Sequence, residues 1–321
     1  RVSERLEEAH WNRYPPPFGQ TVIPDLAEYL GVETSHILLA PGSSALIRLL
    51  FSFFSQKCTG KIIVTRPSFS YYEQYCQTFG VPYETWDLTS DFEYDLAALD
   101  NLPGYSVVFL TTPNNPTGNV IAQKDLADLL EKNLTSLFIV DEAYGEFAEE
   151  SMIPLINHHE NILILRTFSK SFAAAGIRFG YAVGNAGLIQ AVCSLQTPWQ
   201  LTPFTLIAAQ EILRSAKKIS FFSETLSKVI EQRNQMVTAC TTLLKTNNTM
   251  CTVFSSQANF FLLRFQDTQA HNAVVTACSE AGILIKDLSH EPALERCIRI
   301  SIGTPEENQL FLQTFEKSLK A

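Results

Sequence analysis

The chain has 321 residues, enough for about two domains at ~150 residues each. Its 33 acidic and 24 basic residues give a net charge of −9, unsuited to coating nucleic acid or an anionic membrane, which need a basic footprint. Hydrophobic residues at 46% against 18% charged exclude wholesale disorder and supply material for a large core.

At the N-terminus, Arg1-Val2-Ser3-Glu4-Arg5 is charged with no apolar stretch behind it, so no signal peptide is read. Residues 1–15 are expected to form an N-terminal arm, cut short at its start because no initiator Met is present. No apolar run approaches the ~18–20 residues of a membrane span; Ala45–Phe54, for instance, is broken by Arg48 and Ser52. From about residue 37 to 185, short β-branched runs alternate with amphipathic stretches. Strands are expected at Ile37–Leu39, Lys61–Thr65, Ser106–Leu110, Leu137–Val140, Ile162–Arg166 and Gly180–Val183. Helices are expected at Ser44–Ser55, Phe69–Gly80, Gln123–Lys132 and after Ser171. Such alternation reads as an α/β domain around a mostly parallel sheet, with runs such as Phe138-Ile139-Val140 buried on both faces.

The pattern changes after Pro203. Thr205 to Leu244 has apolar positions at helical spacing, predicting one long helix or two broken near Ser215–Ser220. Short strands follow at Thr252–Phe254, Phe260–Phe265, Ile283–Lys286 and Ile298–Ile302, around a helix near Ala270–Ala281. The expected organisation is an arm (1–15), a large domain (16–205), and a connecting helix with a smaller α+β domain (206–321). The seven cysteines lie at wide spacings without a CxxC pair, which reads as free thiols in a reducing cytoplasm. The six histidines show no metal-ligand spacing, so no metal is expected.

Four segments carry chemistry. Thr167-Phe168-Ser169-Lys170 follows a buried strand, and a Lys among small and apolar residues is expected to be desolvated and nucleophilic. The hydroxyls of Thr167 and Ser169 and the charge of Arg178 suit a phosphate. Asp141 ends an apolar strand, where sheets of this class present functional groups, and Tyr144 lies three residues on. That carboxylate can keep a ring nitrogen protonated while the phenol bonds a ring oxygen. Thr111-Thr112-Pro113-Asn114-Asn115-Pro116-Thr117-Gly118 is a loop stiffened by two prolines, suited to aiming an Asn side chain. Gly42, Ser43 and Ser44 open a helix whose free N–H groups and dipole form an anion site. Taken singly, each has an ordinary reading as a solvated strand end, a turn or an N-cap; their meaning comes from their combination.

Together the motifs resemble the aspartate-aminotransferase superfamily, fold-type I enzymes using pyridoxal 5′-phosphate (PLP), and are similar to its histidinol-phosphate aminotransferase branch. The resemblance runs from Asn12-Arg13-Tyr14-Pro15 to Arg299-Ile300-Ser301-Ile302-Gly303-Thr304. It implies Lys170 as the Schiff-base residue, Arg178 on the phosphate and Asp141 on the pyridinium. It further implies Tyr144 and Asn115 on the ring oxygen, with Phe69, usually Tyr in this branch, stacked on the ring. Arg299 would clamp a substrate carboxylate, and Lys286, usually Arg here, a substrate phosphate. Tyr14 would reach the cofactor phosphate of a neighbouring subunit, which implies a homodimer. Two further departures stand out. The family's Asn-Glu-Asn-Pro segment is expected before the present start and so is not read here, and Gly42-Ser43-Ser44 replaces an acid-containing phosphate loop.

The implied activity is a cytoplasmic aminotransferase that moves an amino group between histidinol phosphate, or an aromatic amino acid, and 2-oxoglutarate. Within the fold, Gln196-Thr197-Pro198-Trp199-Gln200 equally resembles a threonine-phosphate decarboxylase, with a carbon–sulfur lyase more remote. A non-catalytic binding protein on the same fold would be favoured by loss of Lys170 or Asp141, and both are present.

Overall fold

The computed structural model describes residues 2–218 and 221–320. Its larger part is built on a seven-stranded sheet: β1 (Ile37–Ala40), β2 (Ile62–Arg66), β3 (Glu84–Asp87), β4 (Val107–Thr111), β5 (Leu137–Asp141), β6 (Ile162–Thr167) and β7 (Gly180–Gly184). The strands lie in the order β1-β7-β6-β5-β4-β2-β3, and only the pairings of β7 with β6 and β1 are antiparallel.

Seven helices accompany this sheet: α1 (Val2–Glu7), α2 (Ile23–Leu30), α3 (Ser43–Lys57), α4 (Tyr71–Phe79), α5 (Gln123–Lys132), α6 (Ala186–Cys193) and α7 (Pro203–Lys218). The apolar runs explain the layering, because side chains alternate between faces and both faces must find a cover. Val108, Leu110, Phe138, Val140, Ile162 and Ile164 pack with α2, α5 and α7. Their neighbours Val107, Phe109, Leu137, Ile139, Leu163 and Leu165 pack with α3, α4 and α6 on the other side.

The smaller part contains α8 (Phe221–Thr246), β8 (Cys251–Val253), β9 (Phe260–Phe265), α9 (Thr268–Glu280), β10 (Lys286–Asp287), β11 (Cys297–Ser301) and α10 (Pro305–Leu319). Its antiparallel sheet, ordered β10-β11-β9-β8, lays one face on α8, α9 and α10 through Phe261, Leu263, Cys240, Val274 and Phe315. The other face turns toward the large part. There Leu262, Leu288, Leu294 and Cys297 meet Leu88 and Phe92, and Phe260 meets Tyr144 and Phe147. Arg264 is held between Phe92 and Phe254, 4.3 and 4.9 Å from their ring centres, and its Nη1 donates to the Ser90 carbonyl at 2.8 Å.

Several expectations change. After Ser171 there is only a short 3₁₀ turn, Ala175–Ile177. Ala173 and Arg178 have φ of 50° and 53°, and a right-handed helix cannot run through left-handed residues. The strand expected at Ile283–Lys286 is confined to Lys286–Asp287, with Leu284 99% exposed and no pairing partner for 283–285 among the described residues. The long apolar stretch after Pro203 forms α7 and α8; the junction at 219–220 lies outside the described residues. Apolar residues of α7 (Leu206, Ala209, Leu213) belong to the large core, and those of α8 (Met236, Cys240, Leu244) to the small one. Short β3, α2 and α6 and the capped α10 are additional elements, and α1 starts the arm.

The N-terminal arm folds back on its own chain. Arg5 donates to Glu211 Oε1 at 2.8 Å and to Gln210 Oε1 at 2.7 Å, tying α1 to α7. Further on, the Phe18 N–H donates to the Pro198 carbonyl at 2.7 Å. Those polar contacts hold the chain on either side of Pro15-Pro16-Pro17.

Candidate active site

The parallel strands of the large sheet end on one edge, and the segments leaving β2, β4, β5 and β6 converge there with the N-terminus of α3. They enclose a cavity of about 270 Å³. Ser43, Ser44, Phe69, Asn115, Asp141 and Tyr144 line it. So do Thr167, Ser169, Lys170 and Arg178. Four sequence-separated motifs are thus brought into one site, and Gly42 lies directly behind it.

Asp141 is the last residue of β5 and 4% exposed. The Tyr72 hydroxyl donates to its Oδ2 at 3.0 Å, and the Ala143 N–H donates to its Oδ1 at 2.9 Å. Burial raises its pKa to about 6, while the Tyr72 and Ala143 bonds and the charge of Lys170 hold it down. Tyr72 is itself fixed by Thr111, whose hydroxyl lies 2.8 Å from the phenol. Next in that chain, Ser68 Oγ donates to Asn114 Oδ1 at 2.7 Å. Tyr72 was not singled out from the sequence. Its one local signal is the i+3 spacing from Phe69, whose ring meets it edge-on at 5.7 Å.

The opposite wall is an anion cradle. Gly42 precedes α3 at φ +89°, and a Cβ there would stand 2.6 Å from Arg178 Nη2. Gly180, at the start of β7, is equally constrained, since a Cβ would lie 2.3 Å from the Ser43 nitrogen. These two glycines let a guanidinium and a strand close around the first turn of a fifteen-residue helix. Thr167 Oγ1 donates to Ser169 Oγ at 2.9 Å, completing a rim of hydroxyls. Donors of this kind around a helix N-terminus fit a phosphate, and a buried carboxylate across the cavity fits a protonated ring nitrogen.

Lys170 departs from expectation. Its side chain is exposed to the cavity and not desolvated, with Nζ 5.2 Å from the centre of the Tyr144 ring. The reason is geometric: the turn after β6 carries Phe168 into the core, and Lys170 two residues later points out of it. Tyr144 is 5% exposed and packs edge-on against Phe260 at 5.1 Å.

Besides Gly42, three expected site residues lie off the cavity lining. Arg299 on β11 reaches it indirectly, its Nη1 donating to Asn115 Oδ1 at 2.5 Å and its guanidinium lying 4.9 Å from the Phe260 ring centre. Arg299 Nε is buried without a hydrogen-bond partner among the described residues. Lys286 is exposed on β10, directly opposite Arg299 in the antiparallel register, so both side chains leave the same face. Tyr14 is 79% exposed and rests on Trp199 with ring centres 4.9 Å apart. Among the described residues no cluster of three or more His, Cys, Asp or Glu is placed to hold a metal, and no helix is long and apolar enough to cross a membrane.

The sequence model of the family "Aminotransferase class I and II" matches residues 2–315. The chain is 35% identical over 306 residues to "Histidinol-phosphate aminotransferase 2" of Mannheimia succiniciproducens, covering 94% of this chain and 85% of that protein. It is 33% identical over 309 residues to a histidinol-phosphate aminotransferase of Haemophilus influenzae, covering 95% and 86%. Among solved structures, the L-threonine-O-3-phosphate decarboxylase of Porphyromonas gingivalis superposes with TM-score 0.81 at 26% identity, over 100% of this chain and 95% of that one. The histidinol-phosphate aminotransferase of Clostridium acetobutylicum shares the fold at TM-score 0.86 and 24% identity, over 99% and 95%. A family match over nearly the whole chain, on a fold-type I architecture with an anion cradle facing a buried carboxylate, makes this chain a member of the class I and II aminotransferases, an aminotransferase that uses pyridoxal phosphate.

Proposed function

We propose that the enzyme moves an amino group between a phosphorylated amino alcohol of the histidinol-phosphate type and 2-oxoglutarate. The observation that carries this reading is the cross-strand pair Lys286 and Arg299, two cations on one face of the small sheet, with Arg299 hydrogen-bonded to Asn115 of the cavity lining. Relatives about one third identical are named histidinol-phosphate aminotransferases. A two-cation pair serves both half-reactions, since the amine brings a phosphate and the oxo acid brings carboxylates. Arg299 supplies a planar fork suited to a carboxylate, and its orphaned Nε is consistent with a missing acceptor. Lys286 supplies a point charge for the phosphate.

When bound, the cofactor supplies an electron sink for the substrate carbon. The residues of this chain do the rest. Lys170 would hold the cofactor through Nζ, and its free amine would carry a proton from the substrate carbon to the cofactor's C4′, the transfer that leaves the amino group behind. Asp141, fixed by Tyr72 and Ala143, keeps the ring nitrogen protonated. Gly42, Ser43 and Ser44 at the α3 N-terminus, with Thr167, Ser169 and Arg178, hold the phosphate. Tyr144 and Asn115 bond the ring oxygen, and Phe69 packs against the ring. Tyr14 is read as serving a second copy, forming a homodimer, because it does not line its own chain's cavity.

The test is a panel of histidinol phosphate, phenylalanine, tyrosine and threonine phosphate, each with 2-oxoglutarate, with oxo product and CO₂ assayed separately. Lys286→Ala should lower kcat/KM for the phosphorylated amine by ~10–100-fold, as for loss of a charged hydrogen bond, and spare phenylalanine. An equal loss on phenylalanine would remove the phosphate role. The decarboxylase reading, favoured by the Porphyromonas structure and the Pro198-Trp199 segment, requires CO₂ release from threonine phosphate.

A further inference from the structure

Behind the cavity wall lies a group of buried charges with no part in the roles above. Glu142 follows Asp141, Arg166 is the penultimate residue of β6, and Glu146 lies just past Tyr144. Their side chains are 1%, 6% and 5% exposed. Arg166 donates to Glu142 Oε2 through Nε at 2.9 Å and Nη2 at 2.8 Å, while the Met152 N–H donates to Glu142 Oε1 at 2.7 Å. Arg166 Nη1 donates to Glu146 Oε1 at 3.2 Å, and Nη2 also donates to Ser151 Oγ at 2.8 Å. The second oxygen of Glu146 accepts the Ser171 hydroxyl at 2.8 Å. Ser171 is the residue after Lys170.

Gly145 makes the arrangement feasible, because a Cβ there would lie 3.0 Å from Arg166 Nη2. Burial pushes the Glu146 carboxyl up, opposed by Arg166 and the Ser171 bond. Burial also works against the Arg166 charge, but Glu142 and Glu146 outweigh it and hold the guanidinium protonated. Buried ion clusters are seldom the cheapest way to stabilise a fold, so their reason is sought in what they fix. This one ties the strand end bearing Asp141 to the turn bearing Lys170. That turn needs a tether, since its Ala173 sits at φ 50° and it has no helix to stiffen it.

We propose that Glu146, anchored by Arg166 and Glu142, is a positioning residue for Lys170, acting through the Ser171 hydroxyl. The proposal rests on Lys170 being the residue that carries the cofactor. A charge-assisted bond to a carboxylate locked by a guanidinium fixes the Ser171 backbone, and with it the Cα of Lys170. A long flexible amine can be aimed only from its base, and proton transfer is sensitive to such aim.

The experiment compares Ser171→Ala, Ser171→Thr, Glu146→Gln and the Ser171→Ala/Glu146→Gln double variant as cofactor-loaded proteins. Ser171→Ala should lower kcat about 10-fold, change KM less than about twofold, and slow borohydride fixation of the cofactor on Lys170. Its cofactor-free melting temperature should match the wild type. Ser171→Thr, which keeps the hydroxyl, should restore kcat, and the double variant should be no worse than Glu146→Gln alone, because Ser171 acts only through the Glu146 carboxylate that this variant already removes along with its pairing to Arg166. Wild-type kcat and fixation rate in Ser171→Ala would overturn the proposal, as would additive losses or a kcat loss that tracks lost thermal stability. Fixation is measured on the wild-type chain alongside. Its absence from Lys170 overturns the underlying functional reading, whereas normal wild-type fixation with unaffected variants overturns the positioning role alone.

Discussion

The Asp141 carboxyl concentrates the residue-scale chemistry, because its environment pulls in two directions. Burial raises its pKa from the ordinary 3.8 to about 6, and the donors from Tyr72 and Ala143 limit the rise. In the cofactor-free protein the folded state therefore holds this proton more tightly than the unfolded chain. Its contribution to stability is fully present at low pH and is lost as pH rises through about 6. Cofactor binding runs the other way, since only the ionised carboxylate pairs with a protonated ring nitrogen. PLP affinity should weaken between about pH 7.5 and about pH 5, and Asp141→Asn should remove that dependence. The same variant should lower kcat on the order of 100-fold or more, as when a preorganised charge at the reacting system is removed. Cofactor titrations followed by visible absorbance at both pH values check the first claim; an unchanged pH dependence in Asp141→Asn would assign it to another group.

Among the elements, the first turn of α3 depends on its neighbour β7. Gly180 faces Thr167 on one side and Ala40 on the other, which brings β7 against the Ser43 nitrogen. The obstacle to a side chain there is backbone, with Gly42 C only 2.5 Å from the added Cβ, so no rotamer change relieves it. Gly180→Ala should cost ~1–3 kcal/mol of stability, the range for overpacking, and weaken PLP binding through the displaced helix terminus. Thermal melts and cofactor titration separate these effects. Unaltered PLP affinity in a destabilised Gly180→Ala protein would mean that the helix terminus does not hold the phosphate.

At the scale of the molecule, the smaller part touches residues of the cavity lining. Arg299 crosses to Asn115, Phe260 packs on Tyr144, and Arg264 between Phe92 and Phe254 pins the other end of the boundary. The proposed reach of the exposed Tyr14, which rests on Trp199, into a second copy belongs to the same scale. Mixing Tyr14→Phe chains with Lys170→Ala chains tests it. If Tyr14 serves the other subunit, the hybrid dimer keeps one intact pocket and should exceed the activity of either parent, approaching half of wild type per dimer. If it serves its own chain, no hybrid pocket is intact and the mixture only averages its parents.

What the sequence alone made legible was local and periodic. Strands buried on both faces announce themselves as unbroken apolar runs, so β4, β5 and β6 were readable, as was the helix at Gln123–Lys132. Motifs that combine rare residue types at fixed spacing, such as Lys170 with Arg178 or Asp141 with Tyr144, likewise carried their chemistry openly. Short or half-exposed elements did not: β3 has one buried residue, Trp86, and α6 has a weak amphipathic pattern. The turn after Lys170 misled because apolar residues at Phe172, Ala174 and Ile177 imitate helical spacing, whereas backbone signs at Ala173 and Arg178 decide the path. Contacts between distant residues were beyond reach altogether. Tyr72 with Asp141, Glu146 with Ser171, Arg299 with Asn115 and the arm's return to α7 join positions 25 to 206 residues apart. Sequence patterns fix which face of an element is apolar; which polar groups then meet depends on how the completed layers pack, and the tertiary structure alone decides that.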